Sequence, residues 1–159
     1  MILDRRGFLG AGVAAATLAA PMVRAAGHGT PRVIVIGGGA GGATAARYIA
    51  KDSEGAIDVT LIEPTRAYYT CFFSNLYLGG FKEMSDLAHS YGTLASDYGI
   101  NVVHDWAEAV DRDKKQVRLA SGANVAYDRL VVAPGIDLKY DSVPGYSVAA
   151  SQNMPHAWK

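Results

Sequence analysis

The sequence has 159 residues with 15 basic and 15 acidic side chains, so its formal net charge is zero. This length is enough for one domain with a substantial core, and a composition of 50% hydrophobic and 19% charged residues excludes a largely disordered protein. Lys and Arg form no stripe that could follow a phosphate backbone, which argues against a nucleic acid partner.

Residues 1–25 have the features of an export signal. Arg5 and Arg6 form a twin-arginine pair ahead of an alanine-rich, weakly hydrophobic run at residues 10–20, and Ala25 offers a small-residue cleavage site. The run is about a dozen residues, too short to cross a bilayer as a helix. We therefore predict a twin-arginine signal peptide and a periplasmic mature chain, with a membrane anchor or a buried helix as the alternatives.

A glycine cluster follows the first predicted strand. Residues 33–36 are apolar and β-branched, which is typical of a strand buried on both faces of a parallel sheet, and residues 43–51 have helical composition. Between them, Gly37, Gly39 and Gly42 fit the pattern G-x-G-x-x-G. The pattern lies after a strand and before a helix, which is the position at which it indicates dinucleotide binding.

This pattern predicts a dinucleotide site, with a flexible glycine-rich loop as the alternative. The first glycine permits a tight turn, the second lets the backbone approach a pyrophosphate, and the third allows close packing of helix and strand. The helix N-terminus then faces the phosphate charge. The predicted contacts in this loop are Gly37, Gly39, Ala40, Gly41 and Gly42.

A second strand is predicted at residues 58–63, and it ends in an acid. Glu63 lies 21 residues after Gly42, about the spacing at which an acid reaches a ribose hydroxyl of the dinucleotide. An acid at this position disfavours a 2′-phosphate, so FAD and NAD both remain candidates.

Residues 64–81 form a long connection that is rich in aromatic residues, so we expect its side chains to pack against a cofactor or against the core. A flat isoalloxazine ring is one candidate, and a short core helix through residues 72–78 is the other. Cys71, the only cysteine, lies in this connection. Because one cysteine forms no internal disulfide, three interpretations compete: a buried inert thiol, a partner for a cysteine on another chain, or a thiol bonded to a cofactor.

Residues 85–98 have apolar side chains at helical spacing and predict a helix from Ser85 to a stop at Gly99. This apolar face is assigned to the core. It consists of Leu87, Tyr91, Leu94, Ala95 and Tyr98.

Further strands are predicted in the second half of the chain. Residues 101–104 predict a third parallel strand, which brings residues 105–107 to the sheet edge of the glycines. His104 is interpreted as a core or rim residue, because no second His or Cys stands at metal-ligand spacing. Short strands at residues 108–111, 116–120 and 124–128 predict an antiparallel meander, and residues 127–135 predict another buried strand.

The sequence resembles the FAD half of the glutathione-reductase-like flavoproteins in four features. These are the glycine pattern, the second strand that ends in Glu63, the meander, and the last strand that ends in Ala133-Pro134-Gly135. Within that group, residues 32–159 resemble the flavoprotein subunit of flavocytochrome c sulfide dehydrogenase, and Tyr68-Tyr69-Thr70-Cys71 is the most specific segment. The other matching segments are Glu63-Pro64, Ser74-Asn75, Gly79-Gly80, Val102-Val103-His104-Asp105, Tyr127-Asp128-Arg129, Val131-Val132-Ala133-Pro134-Gly135-Ile136 and Pro155-His156-Ala157-Trp158-Lys159.

The resemblance implies an α/β fold: a Rossmann-like FAD-binding domain with a parallel sheet and an antiparallel β-meander, incomplete at the C-terminus, over residues 26–159. It implies FAD attached covalently through Cys71, sulfide as substrate and a separate c-type cytochrome subunit. Pro64, Ala107, Ala133 and Gly135 complete the predicted cofactor contacts. No metal site and no integral membrane segment are predicted for the mature chain.

The resemblance also implies parts that lie beyond Lys159. These are a redox-active cysteine pair, the rest of the FAD domain and a second dinucleotide domain, so no catalytic residue is assigned here. We therefore expect residues 26–159 alone to be inactive towards sulfide. The alternatives are a sulfide:quinone-type or other exported FAD reductase, or a non-catalytic FAD-binding remnant that serves as a partner for a cytochrome or an assembly factor.

Overall fold

The computed structural model describes residues 29–153, so the export signal and the matching segment at residues 155–159 lie outside the described part. This part contains β-strands and α-helices. In chain order they are β1 Arg32–Ile36, α1 Ala40–Asp52, β2 Asp58–Ile62, β3 Ala67–Tyr69, α2 Ser74–Leu78, β4 Ala88–Ser90, α3 Gly92–Tyr98, β5 Asn101–Val103, β6 Ala107–Asp111, β7 Gln116–Leu119, β8 Asn124–Ala126, β9 Arg129–Val132 and α4 Val148–Ser151.

Four of these strands form a parallel sheet in the order β5-β2-β1-β9. Strands β6, β7 and β8 form a separate antiparallel sheet, and β3 pairs with β4. The parallel sheet and the antiparallel meander confirm the predicted α/β fold. No helix among residues 29–153 has the length and apolarity that crossing a membrane requires.

The parallel sheet is covered on both faces. Successive side chains of β1 point to opposite faces, so they pack in two different clusters. Val33 and Val35 pack with Ala46 of α1 in one cluster. Ile34 packs with Val117 of the meander in the other. Burying each such Val or Ile fully stabilises the fold by about 1.5–3 kcal/mol, so the two clusters fix α1 and the meander on opposite faces of the sheet.

The first helix begins earlier than predicted. Helix α1 starts at Ala40, whereas the sequence predicted helix only from residue 43. Gly41 and Gly42 lie in its first turn, where the amide groups need no intrahelical acceptor, so the weak helix propensity of glycine has little effect there. The glycine pattern therefore overlaps the helix, and its last glycine is a helical residue.

The prediction of one helix over residues 85–98 is wrong. A 3₁₀ turn at Met84–Leu87 leads into β4, which pairs with β3, and only α3 is helical. Leu87 and Tyr91 are buried as predicted, but Ala95 is exposed. The helical spacing of apolar residues does not reveal that residues 88–90 pair with β3, and this pairing interrupts the predicted helix. Gly99 does end α3, with φ of +64°.

Two further predictions need correction. The connection over residues 64–81 contains β3 and α2, but α2 buries none of its residues and is therefore not a core helix. The strand near residues 127–135 is β9, and it is not buried. Within residues 29–153 it pairs only with β1, and its last residue, Val132, is 62% exposed.

An ion pair holds the start of β1 to the residue before β9. Asp128 Oδ2 accepts hydrogen bonds from the Arg32 amide at 2.7 Å and from the Arg32 Nε at 3.2 Å. The Asp128 amide donates back to the Arg32 carbonyl at 2.8 Å. The hydrogen bonds from the Arg32 side chain and amide lower the pKa of the Asp128 carboxyl. The pair thereby fixes the register of β9 against β1.

We predict that Asp128→Asn lowers the free energy of unfolding at neutral pH and flattens its dependence on pH. A carboxyl with a lower pKa in the folded state stabilises the fold above its unfolded pKa of about 4, and this contribution is lost as the pH falls through the lower folded pKa. Urea unfolding at a series of pH values measures it. Asp113→Asn, in an exposed turn, is the matched control, and equal pH profiles for the wild type and Asp128→Asn would contradict the assignment.

Candidate cofactor site at the glycine turn

Two glycines of the turn are required by close backbone contacts. Gly37 has φ of +99°, and an added Cβ would overlap the Ala133 carbonyl at the end of β9. At Gly42 an added Cβ would overlap the Gly37 carbonyl and lie 3.3 Å from the Ala133 Cβ. The first turn of α1 therefore sits directly on the glycine turn. These contacts agree with the roles predicted for the first and third glycines.

Gly39, unlike Gly37 and Gly42, has no close backbone neighbour. An added Cβ there would meet only the Tyr68 ring, at 3.7 Å, so the backbone is open to a ligand. Gly39 is the N-cap residue of α1, and no side chain caps the helix and no acid lies in its first turn. The amides of the first turn lack intrahelical acceptors, and they combine with the helix dipole to favour an anion.

Glu63 lies beside this turn and is held in place by three hydrogen bonds. Its Oε2 accepts from the Gly38 amide at 2.8 Å, and its Oε1 accepts from the Thr65 amide and hydroxyl at 2.9 and 2.7 Å. The acid is therefore next to the pyrophosphate side of the predicted site. Its predicted contact with a ribose hydroxyl stays a prediction.

Tyr91 contacts the same glycine and was assigned only to the core by the sequence. Its side chain is 5% exposed, and its hydroxyl donates to the Gly38 carbonyl at 3.0 Å. Burial, and then the charge of Glu63, raises the pKa of the Tyr91 phenol, so the hydroxyl remains a donor at neutral pH. A tyrosine at an apolar position needs a partner for its hydroxyl, but the sequence does not say which partner it finds.

A cavity of about 310 Å³ opens between α1, the β3–β4 pair and α3. Its walls include the glycine turn and the Tyr-Tyr-Thr-Cys segment. The residues that matter here are Gly38, Gly39, Ala40, Tyr68, Thr70 and Phe72. Cys71 is half-buried and stands between Thr70 and Phe72. The fold thus brings the predicted phosphate site and both chain neighbours of the thiol to one cavity, whereas Cys71 itself is not a lining residue.

The turn around Cys71 is ordered by its own hydrogen bonds. The Phe72 amide donates to Thr70 Oγ1 at 3.1 Å, and the Ser74 hydroxyl donates to the Cys71 carbonyl at 2.8 Å. Phe73 has φ of +67°, a left-handed conformation that is uncommon for a bulky residue and that is typical of constrained functional segments. Phe72 and Phe81 are 60% and 81% exposed, so the aromatic residues of this connection form a surface.

The remaining predicted contacts follow strands of the parallel sheet or begin the meander. Ala133 touches it, since its amide donates to the Ile36 carbonyl at 2.8 Å. Gly135 follows with φ of +78° in an exposed position. Pro64 directly follows Glu63, and Ala107 begins β6. None of Pro64, Ala107 and Gly135 lines the cavity, so the structure does not bring them together with Gly39 there.

His104 has a structural partner. Its Nδ1 lies 3.0 Å from the Glu63 carbonyl oxygen, just after β5. Among residues 29–153 no group of three or more His, Cys, Asp or Glu side chains is arranged to hold a metal ion. His104 is exposed, so of the core and rim positions that the sequence left open it occupies the rim.

Comparison with known proteins gives the family context. A family model described as pyridine nucleotide-disulphide oxidoreductase matches residues 31–157. The chain is 55% identical over 47 residues to the sulfide dehydrogenase (flavocytochrome c) flavoprotein chain of Chlorobaculum thiosulfatiphilum, which covers 30% of this chain and 96% of that sequence. The resemblance to this flavoprotein chain, predicted from the sequence, is confirmed.

Sulfide:quinone oxidoreductases are also similar. The mouse mitochondrial protein is 32% identical over 113 residues, which are 71% of this chain and 25% of that protein. The crystal structure of the Aquifex aeolicus sulfide:quinone oxidoreductase superposes with a TM-score of 0.61 at 29% identity, covering 68% of this chain and 25% of that one. The chain thus spans about a quarter of the length of these relatives.

We predict that Gly42→Ala disrupts the site whereas Gly41→Ala does not. The added methyl at position 42 collides with the Gly37 carbonyl, which should cost about 1–3 kcal/mol and displace the helix N-terminus. At position 41 it meets nothing within 4 Å, so alanine should leave the stability nearly unchanged in this first turn of the helix. Thermal unfolding and bound flavin per chain measure both. Equal behaviour of the two variants would refute the packing role of Gly42.

Proposed function

Because the chain belongs to the pyridine nucleotide-disulphide oxidoreductase family, we propose that it is the FAD-binding part of a periplasmic sulfide-oxidising flavoprotein, which passes electrons from sulfide through FAD to a c-type cytochrome subunit. The observation that carries the proposal is the position of Cys71, between two residues that line the cavity next to the glycine turn. The 55% identity to a flavocytochrome c flavoprotein chain supports the choice of electron acceptor.

The residues at the site fit FAD, which the family and the flavoprotein relatives imply. Gly39 leaves room for a pyrophosphate, and the free amides at the start of α1 can donate to it. Glu63 offers carboxylate oxygens for a ribose on the neighbouring side. FAD, when bound, supplies the ability to accept two electrons from a donor and to release them singly.

The position of Cys71 supports a covalent attachment of the flavin. The thiol is partly accessible and lies in the segment Tyr68-Tyr69-Thr70-Cys71, whose turn is held by Thr70 and Ser74. A side chain placed this way can anchor one end of the cofactor while the helix N-terminus binds the middle.

We predict that Cys71→Ser abolishes covalent attachment without abolishing flavin binding. Mass spectrometry of the digested wild-type protein should find the Cys71 peptide heavier by one flavin. Acid denaturation should leave the yellow colour on the wild-type chain and release it from Cys71→Ser. An unmodified Cys71 peptide from active protein would contradict the assignment.

A sulfide:quinone-type reductase is the second candidate, and the identities of 32% and 33% to two such enzymes favour it. The two candidates differ in electron acceptor. We predict that the full-length protein that contains this chain, supplied with sulfide, reduces cytochrome c about tenfold faster than a soluble quinone at the same flavin concentration. Stopped-flow absorbance measures both rates, with Gly42→Ala as the flavin-depleted control. A faster quinone rate would favour the second candidate.

Export by the twin-arginine route is part of the same proposal, because this route carries proteins that have already folded around a cofactor. It is supported by Arg5 and Arg6 ahead of the weakly apolar run at residues 10–20. We predict that replacing both arginines by lysine leaves flavin-loaded precursor in the cytoplasm. Arg24→Lys, outside the pair, is the matched control. Cell fractionation measures the yield, and unchanged periplasmic protein would count against the signal.

A further inference from the structure

Both backbone polar groups of Gly38 are held by side chains from distant parts of the chain. The Gly38 amide donates to Glu63 Oε2 at 2.8 Å, and the Gly38 carbonyl accepts from the Tyr91 hydroxyl at 3.0 Å. Glu63 follows β2, whereas Tyr91 lies between β4 and α3. The residue between the first two glycines of the pattern is therefore fixed from two sides.

The bond from Tyr91 also sets the direction of the next amide. The Gly38–Gly39 peptide is trans, so its C=O and N–H groups point in opposite directions. With the carbonyl directed at Tyr91, the Gly39 N–H points away from Tyr91, and it donates to no atom of residues 29–153. Gly39 is the N-cap of α1, so this peptide also orients the first turn of the helix.

The ring of Tyr91 is seated against Gly38 as closely as a glycine permits. An added Cβ at Gly38 would lie 2.6 Å from the Tyr91 hydroxyl oxygen and 2.7 Å from the ring carbons. Tyr91 itself is buried in the cluster that includes Val35, Ala46 and Leu61. Its hydroxyl therefore has little freedom to move, and the peptide it holds has little freedom to turn.

We propose that Tyr91 is a positioning residue for the cofactor, which holds the Gly38–Gly39 peptide so that the free amides at the start of α1 are preorganised for a pyrophosphate. This inference rests on the proposed binding of FAD at the glycine turn. Without the hydroxyl, the buried Gly38 carbonyl loses its partner and the peptide can rotate, which would cost binding energy when the amides are reordered around the phosphates.

The test is Tyr91→Phe, which removes one oxygen atom and keeps the packed ring. It is made in the Cys71→Ser protein, so that FAD binds reversibly, and the matched control is Tyr127→Phe, which removes a hydroxyl from the other buried cluster. The FAD dissociation constant should rise about tenfold for Tyr91→Phe, the factor that corresponds to about 1.4 kcal/mol, and stay within twofold for the control.

A second readout separates positioning from simple destabilisation. The two ³¹P resonances of bound FAD report the hydrogen bonds of the pyrophosphate, so Tyr91→Phe should shift them in the folded, FAD-saturated protein, whereas Tyr127→Phe should not. Unchanged ³¹P shifts together with an unchanged dissociation constant would overturn the inference. A lower melting temperature with unchanged ³¹P shifts would also overturn it, since Tyr91 would then act on stability alone. Absence of FAD from the wild-type protein would refute the proposed function instead.

Discussion

The close contact between Gly42 and Gly37 is the constraint on which the rest of the site depends. Because neither residue has a side chain, the first turn of α1 rests on the carbonyl of the turn that follows β1. The Ala133 carbonyl reaches Gly37 in the same way from the end of β9. The helix N-terminus is thereby carried to the edge of the sheet, where three strand ends meet, with its free amides facing outward.

The second wall of the site comes from a different kind of structure. The segment around Cys71 owes its position to the pairing of β3 with β4, which joins residues on either side of α2. Tyr91, directly after β4, then reaches back to Gly38. The glycine turn, for which we propose phosphate binding, is built from local sequence, and the thiol-bearing loop beside it is built from a longer-range pairing. A cofactor bound at both places would be held at two points along its length.

The local parts of this arrangement could be predicted from the sequence. Strand β1, the glycine turn, α1 and β2 follow each other in the chain, and their residue types determine their conformations with little help from elsewhere. The helix predicted at residues 85–98 failed because the pairing of β3 with β4 outweighed a helical period. The exposure of Val132 depends on what packs against its face of the sheet, and the role of the Tyr91 hydroxyl depends on a contact across 53 residues. Neither is visible in a local pattern.

The central claim is that the glycine turn and Cys71 hold one FAD molecule at two points. A crystal structure of the flavin-loaded protein tests this most directly. The account predicts electron density that is continuous from the Cys71 sulfur to the flavin ring, and a pyrophosphate within hydrogen-bond distance of the amides at the start of α1. A flavin bound away from Cys71, or a pyrophosphate that makes no contact with residues 39–42, would contradict it.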